Sequence, residues 1–303
     1  MDDWSLMQFE DIKSIGVVGA GQMGRGIAQV CATAGYRVLL ADVDEPLLAS
    51  AVSKIRASLD RAIERGVQCQ TEEVLARIQP VVQIDRLRDA QLVIEAIPED
   101  LARKQALFGE LNRHCQPHAI LASNTSSISI TKLGAASSRP DRVLGMHFMN
   151  PVPVMRLVEI VQGPETSQHT LQMALELSRR LGKVSVVSKD VPGFIVNRVL
   201  MPMINEAVFA LEDGVASAED IDLAMTTGAN HPVGPLALAD RIGLDTVLAI
   251  CEVLSQDLDD PKFHPCPMLR RYVDAGWLGR KTGRGFYLYE ASGARQEATS
   301  HKM

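Results

Sequence analysis

The string Gly19-Ala20-Gly21-Gln22-Met23-Gly24 limits what this chain can fold into more than any other feature. It follows an apolar run at residues 12–18 and opens a helically periodic run at 24–34, after which 37–41 is again strand-like. Strand, glycine turn, helix and strand within about 30 residues form one βαβ unit with the spacing of a dinucleotide-binding turn. In that reading Gly19 permits the tight turn and Gly21 lets the backbone approach a pyrophosphate. Gly24 lets helix and strand pack closely, and the helix N-terminus, from Gln22 and Met23 on, offers N–H groups to the phosphates. Asp42 ends the second strand, 23 positions after Gly19. A carboxylate there accepts hydrogen bonds from the adenosine ribose and repels a 2′-phosphate, so the expected cofactor is NAD rather than NADP. The alternative is a glycine-rich turn with an exposed aspartate.

Further strand-like runs lie at 92–96, 120–123, 143–146, 157–161 and 184–187, with helical periodicity at 103–115 and 166–181. Strands alternating with helices imply a mainly parallel sheet with helices on both faces. Residues 45–78 read as a helical pair, broken near Gly66, that protrudes from the sheet. After Val191-Pro192-Gly193 the strand pattern stops, and helical periodicity runs through 194–211, 218–225 and 240–258. The expected fold class is an α/β Rossmann-type domain at 1–190 followed by an all-α C-terminal domain at 191–290. The polar tail, 291–303, is expected to be disordered.

Composition removes several function classes. A net charge of −6 does not suit a protein that grips a nucleic-acid backbone. The five cysteines are odd in number and show no Cys-x-x-Cys or Cys/His spacing, so neither a metal site nor a disulfide framework is expected. Reduced thiols, an acidic N-terminus without a leader pattern and no apolar run of membrane-spanning length point to a cytoplasmic protein with no membrane partner.

Hydride transfer at a carbinol carbon needs a group that takes or gives the hydroxyl proton, and histidine suits this near neutral pH. His147 ends a strand-like run, and ligands in open parallel sheets bind at the carboxyl ends of strands; a structural histidine is the alternative. Glu159 lies inside the apolar run Leu157-Val158-Glu159-Ile160-Val161. A carboxylate there is not buried unpaired. It either pairs with His147, fixing the imidazole tautomer, or faces solvent from an edge strand. Ser126, in Ser123-Asn124-Thr125-Ser126-Ser127, either binds a ligand oxygen or caps a helix.

The strings GVVGAGQMGRGIAQ, SNTSS, GMHFMNPVPVM, LVEIV, VPGFIVNR, GANHPVGPLALADRIGLDT and GWLGRKTGRGFY together resemble the L-3-hydroxyacyl-CoA dehydrogenase family over residues 12–289. The resemblance implies His147 as catalytic base, Glu159 as its orienting carboxylate, and Ser126 and Asn197 against the substrate's reacting oxygen and thioester. It implies further cofactor contacts from Glu99, Lys104, Asn150 and Lys281, and coenzyme A contacts from Ser58 and Arg65. Surface charge remains the alternative for Arg65 and Lys281, and helix capping for Asn197. The family also implies an acyl-CoA substrate, a homodimer formed through the helical domain, and a helical domain that completes the substrate site. A dehydrogenase of another hydroxyacid or a longer acyl-CoA, or a non-catalytic crystallin-like protein, are the rival readings.

Overall fold

The computed structural model describes residues 8–290 and 294–296. The chain forms two compact units, divided between Phe194 and Ile195, a few residues past the expected boundary at 190. The first holds strands β1 (Ser14–Val18), β2 (Arg37–Ala41), β3 (Ile78–Val81), β4 (Leu92–Glu95), β5 (Ile120–Ser123), β6 (Val143–Phe148), β7 (Leu157–Gln162) and β8 (Val184–Lys189). They form one sheet in the order β3-β2-β1-β4-β5-β6-β7-β8. Every neighbouring pair is parallel except β6 and β7, which are antiparallel.

Its helices are α1 (Gln22–Thr33), α2 (Glu45–Glu64), α3 (Thr71–Ala76), α4 (Leu101–His114), α5 (Ile130–Ser137) and α6 (Gln168–Arg180). They lie over a sheet whose central strands are buried on both faces, which is why β1 reads as a continuous apolar run rather than an alternating one. α2 is docked through Leu48, Ala51, Ile55 and Leu59, a stripe at helical spacing, and beyond Leu59 its side chains turn outward. The expected helical pair at 45–78 is therefore α2 and α3, docked for most of its length. Its last residue, Ile78, instead begins β3, which the sequence reading lacked. β3 contains Pro80, which cannot donate to a ladder and is tolerated because this strand lies on the sheet edge. α5, also missed, starts at the N-cap Ser129, whose hydroxyl accepts from the Lys132 amide.

The second unit holds α7 (Val196–Glu212), α8 (Ala218–Gly228), α9 (Pro235–Ile242), α10 (Leu244–Leu258) and α11 (Pro267–Asp274). The run at 240–258 read as one helix is broken at Gly243, whose φ of 104° takes the chain out of α9 and into α10. Beyond α11 the described residues form a single 3-10 turn, Arg280–Thr282, and isolated β-bridges. This segment is fastened by two buried carboxylates. Asp240 accepts from the amides of Phe286 (2.9 Å) and Tyr287 (3.0 Å) and from the Tyr289 hydroxyl (2.9 Å). Asp222 accepts from the Leu236 and Ala237 amides and the Tyr287 hydroxyl. A Cβ on Gly285 would lie 1.9 Å from Asp240 Oδ1 and one on Gly279 would lie 2.3 Å from the Asp240 carbonyl oxygen, so these two glycines of GWLGRKTGRGFY answer to this packing. Of the expected tail, Arg295 bridges to Tyr289 and stacks on the Tyr287 ring, and residues 291–293 and 297–303 lie outside the described residues.

Candidate active site

The glycine turn runs from the end of β1 into α1, beside the point where the strand order reverses between β1 and β4, the usual place for a ligand in an open α/β sheet. Gly19 has φ of 103°, and a Cβ there would meet the Ala96 carbonyl oxygen at 2.5 Å. A Cβ on Gly24 would lie 1.7 Å from the Gly19 carbonyl oxygen, so helix and turn touch backbone to backbone. Gly21 has nothing within 4 Å, leaving open space over the turn. Asp42 faces this turn: Oδ2 accepts from the Ala20 amide at 2.6 Å and Oδ1 from the Val43 amide at 2.7 Å. Each carboxylate oxygen keeps acceptor capacity for a ribose hydroxyl. Gly24→Ala is expected to destabilise the protein by about 1–3 kcal/mol and to abolish the thermal stabilisation that NADH gives; an unchanged NADH-induced Tm shift would refute the packing argument.

The antiparallel step places His147 of β6 directly opposite Glu159 of β7. Running antiparallel, β7 brings its third residue to the same sheet edge where β6 ends. Glu159 Oε2 lies 2.7 Å from His147 Nδ1, and the carboxylate is fully buried. With Nδ1–H donating to Glu159, Nε2 is left facing the Ser126 hydroxyl at 3.0 Å. The neutral imidazole then accepts at Nε2 and the imidazolium donates there. Ser126, His147 and Glu159 thus form one hydrogen-bonded line, and Glu159 does not face solvent. The Phe194 ring packs edge-on to the imidazole, centroids 5.6 Å apart. Phe194 has φ of 49°, a left-handed conformation that costs a side-chain-bearing residue about 1–2 kcal/mol.

The loop carrying Ser126 is clamped by carboxylates the sequence reading did not assign to it. Glu99 Oε1 accepts from Thr125 Oγ1 (2.5 Å), the Ser126 amide (2.9 Å), and the Ser127 amide and hydroxyl (both 3.1 Å). Burial pushes the Glu99 carboxyl up, but the Lys104 ammonium and these hydrogen bonds outweigh it and hold it below the usual range. Lys104 is itself buried, directing its ammonium to Glu95 Oε1 (2.5 Å), the Ile97 carbonyl (3.2 Å) and Glu99 Oε2 (3.2 Å). Glu95, fully buried at the end of β4, also accepts from the Ser123 hydroxyl at 2.6 Å. On the other side Asp190 accepts from the Ile130 and Thr131 amides and the Ser129 and Thr131 hydroxyls. Glu95 had a readable signal, an acid closing an apolar run; Asp190 had none.

A cavity of about 400 Å³ opens between α1, α2 and residues 150–153. Arg25, Lys54 and Arg61 line it together with Gln22, Ser58 and Asn150. Gln22 Nε2 donates to Asn150 Oδ1 at 2.9 Å across its rim. Of the two α2 residues expected to meet coenzyme A, Ser58 lines this cavity, whereas Arg65 caps the exposed end of α2 outside the lining. Lys54, Ser58 and Arg61 share a helix face at i, i+4 and i+7, a spacing that was legible. Met23 is half-buried against the core. In the second unit, Lys281 is paired with both oxygens of Asp245 at 2.6 Å. Asn197 is buried as the second residue of α7, and the N-cap position falls to Ile195 instead. Among the described residues no group of three or more His, Cys, Asp or Glu side chains could hold a metal ion.

The 3-hydroxyacyl-CoA dehydrogenase NAD-binding domain matches residues 14–191, and the 3-hydroxyacyl-CoA dehydrogenase C-terminal domain matches residues 193–289. The chain belongs to the 3-hydroxyacyl-CoA dehydrogenase family. Within that family it is 52% identical to a probable 3-hydroxybutyryl-CoA dehydrogenase of Bacillus subtilis, over 92% of this chain and 98% of the relative. It is 51% identical to the 3-hydroxybutyryl-CoA dehydrogenase of Bradyrhizobium diazoefficiens, over 93% and 97%. The crystal structure of the (S)-3-hydroxybutyryl-CoA dehydrogenase of Ralstonia eutropha superposes with a TM-score of 0.89 at 48% identity, covering 92% of this chain and 99% of that one. As a 3-hydroxyacyl-CoA dehydrogenase, the chain carries its family's NAD-binding domain in the eight-stranded first unit, where the glycine turn and the Ser126–His147–Glu159 line both lie.

Proposed function

We propose that this protein is an NAD-dependent dehydrogenase that interconverts short (S)-3-hydroxyacyl-CoA thioesters, 3-hydroxybutyryl-CoA foremost, and the 3-oxoacyl-CoA. The observation that carries the reading is the Ser126–His147–Glu159 line at the carboxyl edge of the sheet that bears the glycine turn. The turn suits NAD: Gly21 leaves room for a pyrophosphate, Gly24 has no room for a side chain, and Asp42 sits where a ribose would be held. NAD, when bound, supplies the hydride acceptor. The chain's own residues handle the proton. Ser126 Oγ and His147 Nε2 together hold the 3-hydroxyl, and Nε2 takes its proton as the alcohol is oxidised. Glu159 stabilises the imidazolium that results, and Glu99 keeps the Ser126 loop in place. In the reverse direction Nε2 returns the proton. Asn197 is assigned to the acyl oxygen by family resemblance.

Phosphates of coenzyme A are assigned to Lys54, Arg61 and Arg25, whose cavity also takes in Ser58. Family resemblance extends this contact to Arg65, and the cofactor contacts to Glu99, Lys104, Asn150 and Lys281. The expected result is NADH-dependent reduction of acetoacetyl-CoA, weak with NADPH. Arg61→Ala should raise KM for acetoacetyl-CoA about 10-fold, the scale of one charge-assisted contact, while leaving KM for NADH alone. NADH binding without any turnover of acetoacetyl-CoA would move the substrate elsewhere. A homodimer is proposed through the second unit, where Val199, Val215 and Leu223 are 68%, 73% and 58% exposed, and light scattering at the monomer mass would refute it. A cytoplasmic setting is proposed from the five free thiols.

A further inference from the structure

Two hydrogen bonds hold the His147 imidazole, one at each ring nitrogen. Both lie in the plane of the ring, at the nitrogens flanking Cε1, and with the Cβ–Cγ bond they set its mean orientation. Once the Ser126 bond is shared with a substrate hydroxyl, rocking about Cβ–Cγ swings the Nε2 lone pair off the oxygen it must reach. Packing against the ring limits the amplitude of that rocking. The Phe194 ring supplies such packing, edge-on to the imidazole with 62° between the planes. It is 2% exposed and belongs to the same buried cluster as Leu121, Ile130 and Val161.

The backbone that presents this ring is out of the ordinary. Val191-Pro192-Gly193-Phe194 forms a turn closed by the Phe194 amide on the Val191 carbonyl at 3.1 Å. Gly193 has φ of 76°, as the second corner of such a turn requires, but Phe194 then adds a second left-handed residue with φ of 49°. A bulky side chain kept in that conformation signals a position the surrounding structure over-determines. Just before the turn, Asp190 is tied by four hydrogen bonds to the start of α5. The ring is therefore delivered to His147 from a fixed frame. Against the imidazole stand Glu159 from β7, Ser126 from the β5–α5 loop and Phe194 from the chain's exit out of the first unit.

We propose that Phe194 is a positioning residue for catalysis: its ring limits the rocking of the His147 imidazole, and the left-handed backbone of the turn places it there. The inference rests on the acid–base reading of His147. The test compares Phe194→Leu, which keeps an apolar side chain but removes the ring, with Phe194→Tyr, which keeps the ring. In Phe194→Leu, kcat for acetoacetyl-CoA reduction should fall about 10- to 100-fold, the scale of a misplaced catalytic group. KM for NADH and for acetoacetyl-CoA should stay within about 2-fold, since no binding contact is touched. Phe194→Tyr should restore most of kcat. In parallel, the ring-proton resonances of His147 should lose their aromatic ring-current shift and broaden in Phe194→Leu alone, a readout that needs no turnover.

A wild-type kcat in Phe194→Leu, or equal losses in both variants, overturns the proposal. So does a loss of kcat that only mirrors a loss of folded protein by circular dichroism. A wild type that turns nothing over, while the imidazole signals respond as described, supports the packing role and instead overturns the acid–base reading.

Discussion

His147→Gln is expected to lower kcat for NADH-dependent acetoacetyl-CoA reduction about 10²- to 10⁴-fold, the range that general acid–base catalysis contributes. Glutamine fills much of the imidazole's space and can still donate to Glu159, so the fold and NADH binding should survive. The carboxamide cannot carry the substrate proton. It has no protonation equilibrium near neutral pH, so Ser126 would face a group that neither takes nor gives a proton. Glu159→Gln should lose less, because the histidine keeps its chemistry and forfeits only the carboxylate that orients and stabilises its charged form. Stopped-flow or steady-state absorbance of NADH decides the matter. A His147→Gln enzyme within 10-fold of wild type would remove His147 from the mechanism and leave the site only a binding site.

Lys104→Met is expected to cost about 3–5 kcal/mol of stability, the usual penalty for leaving one partner of a buried ion pair alone. The charge left behind is Glu95, fully buried, retaining Ser123 and the Ile97 amide as its only remaining donors among those seen. The double variant Lys104→Met with Glu95→Gln should recover most of the loss, because it removes both charges and keeps an acceptor for Ser123. Urea unfolding of the three proteins gives the test, and a single variant within about 1 kcal/mol of wild type would show the pair to be energetically idle. Lys104 also neutralises Glu99, so NADH affinity should fall in the single variant through the loosened Ser126 loop. Glu99 adds a pH dependence of known sign. Its carboxyl is depressed in the folded state, so its contribution is present above the ordinary carboxylate pKa and is lost as pH falls through the depressed value.

The sequence made the glycine turn, Asp42 and His147 legible because each depends on local order: a strand end, a turn, a helix start. Glu159 was only half legible. Its partner depended on which strands are neighbours and which way they run, and the antiparallel step between β6 and β7 decides that. β3 was hidden by Pro80, whose tolerance depends on an edge position known only once the sheet is built. Lys104 and Glu99, which resemblance implies as cofactor contacts, are also bonded within the protein, Glu99 to the Ser126 loop and Lys104 to Glu95, and no spacing rule reveals this. Lys54 and Arg61 could have been found from the face they share with Ser58, whereas Arg65, one turn further on, falls outside the cavity.

His147 and Glu159 are only 12 residues apart along the chain, whereas Gln22 and Asn150, which meet at the cavity rim, are separated by 128. Closing a short hairpin costs little loop entropy, and contacts between distant segments come late. The proton-handling pair is therefore expected to assemble early in folding, before the cavity assigned to coenzyme A exists. It is also carried by one short stretch of polypeptide, so circular permutation at the turn around Gly182, whose φ is 70°, would move the chain ends without parting the two residues.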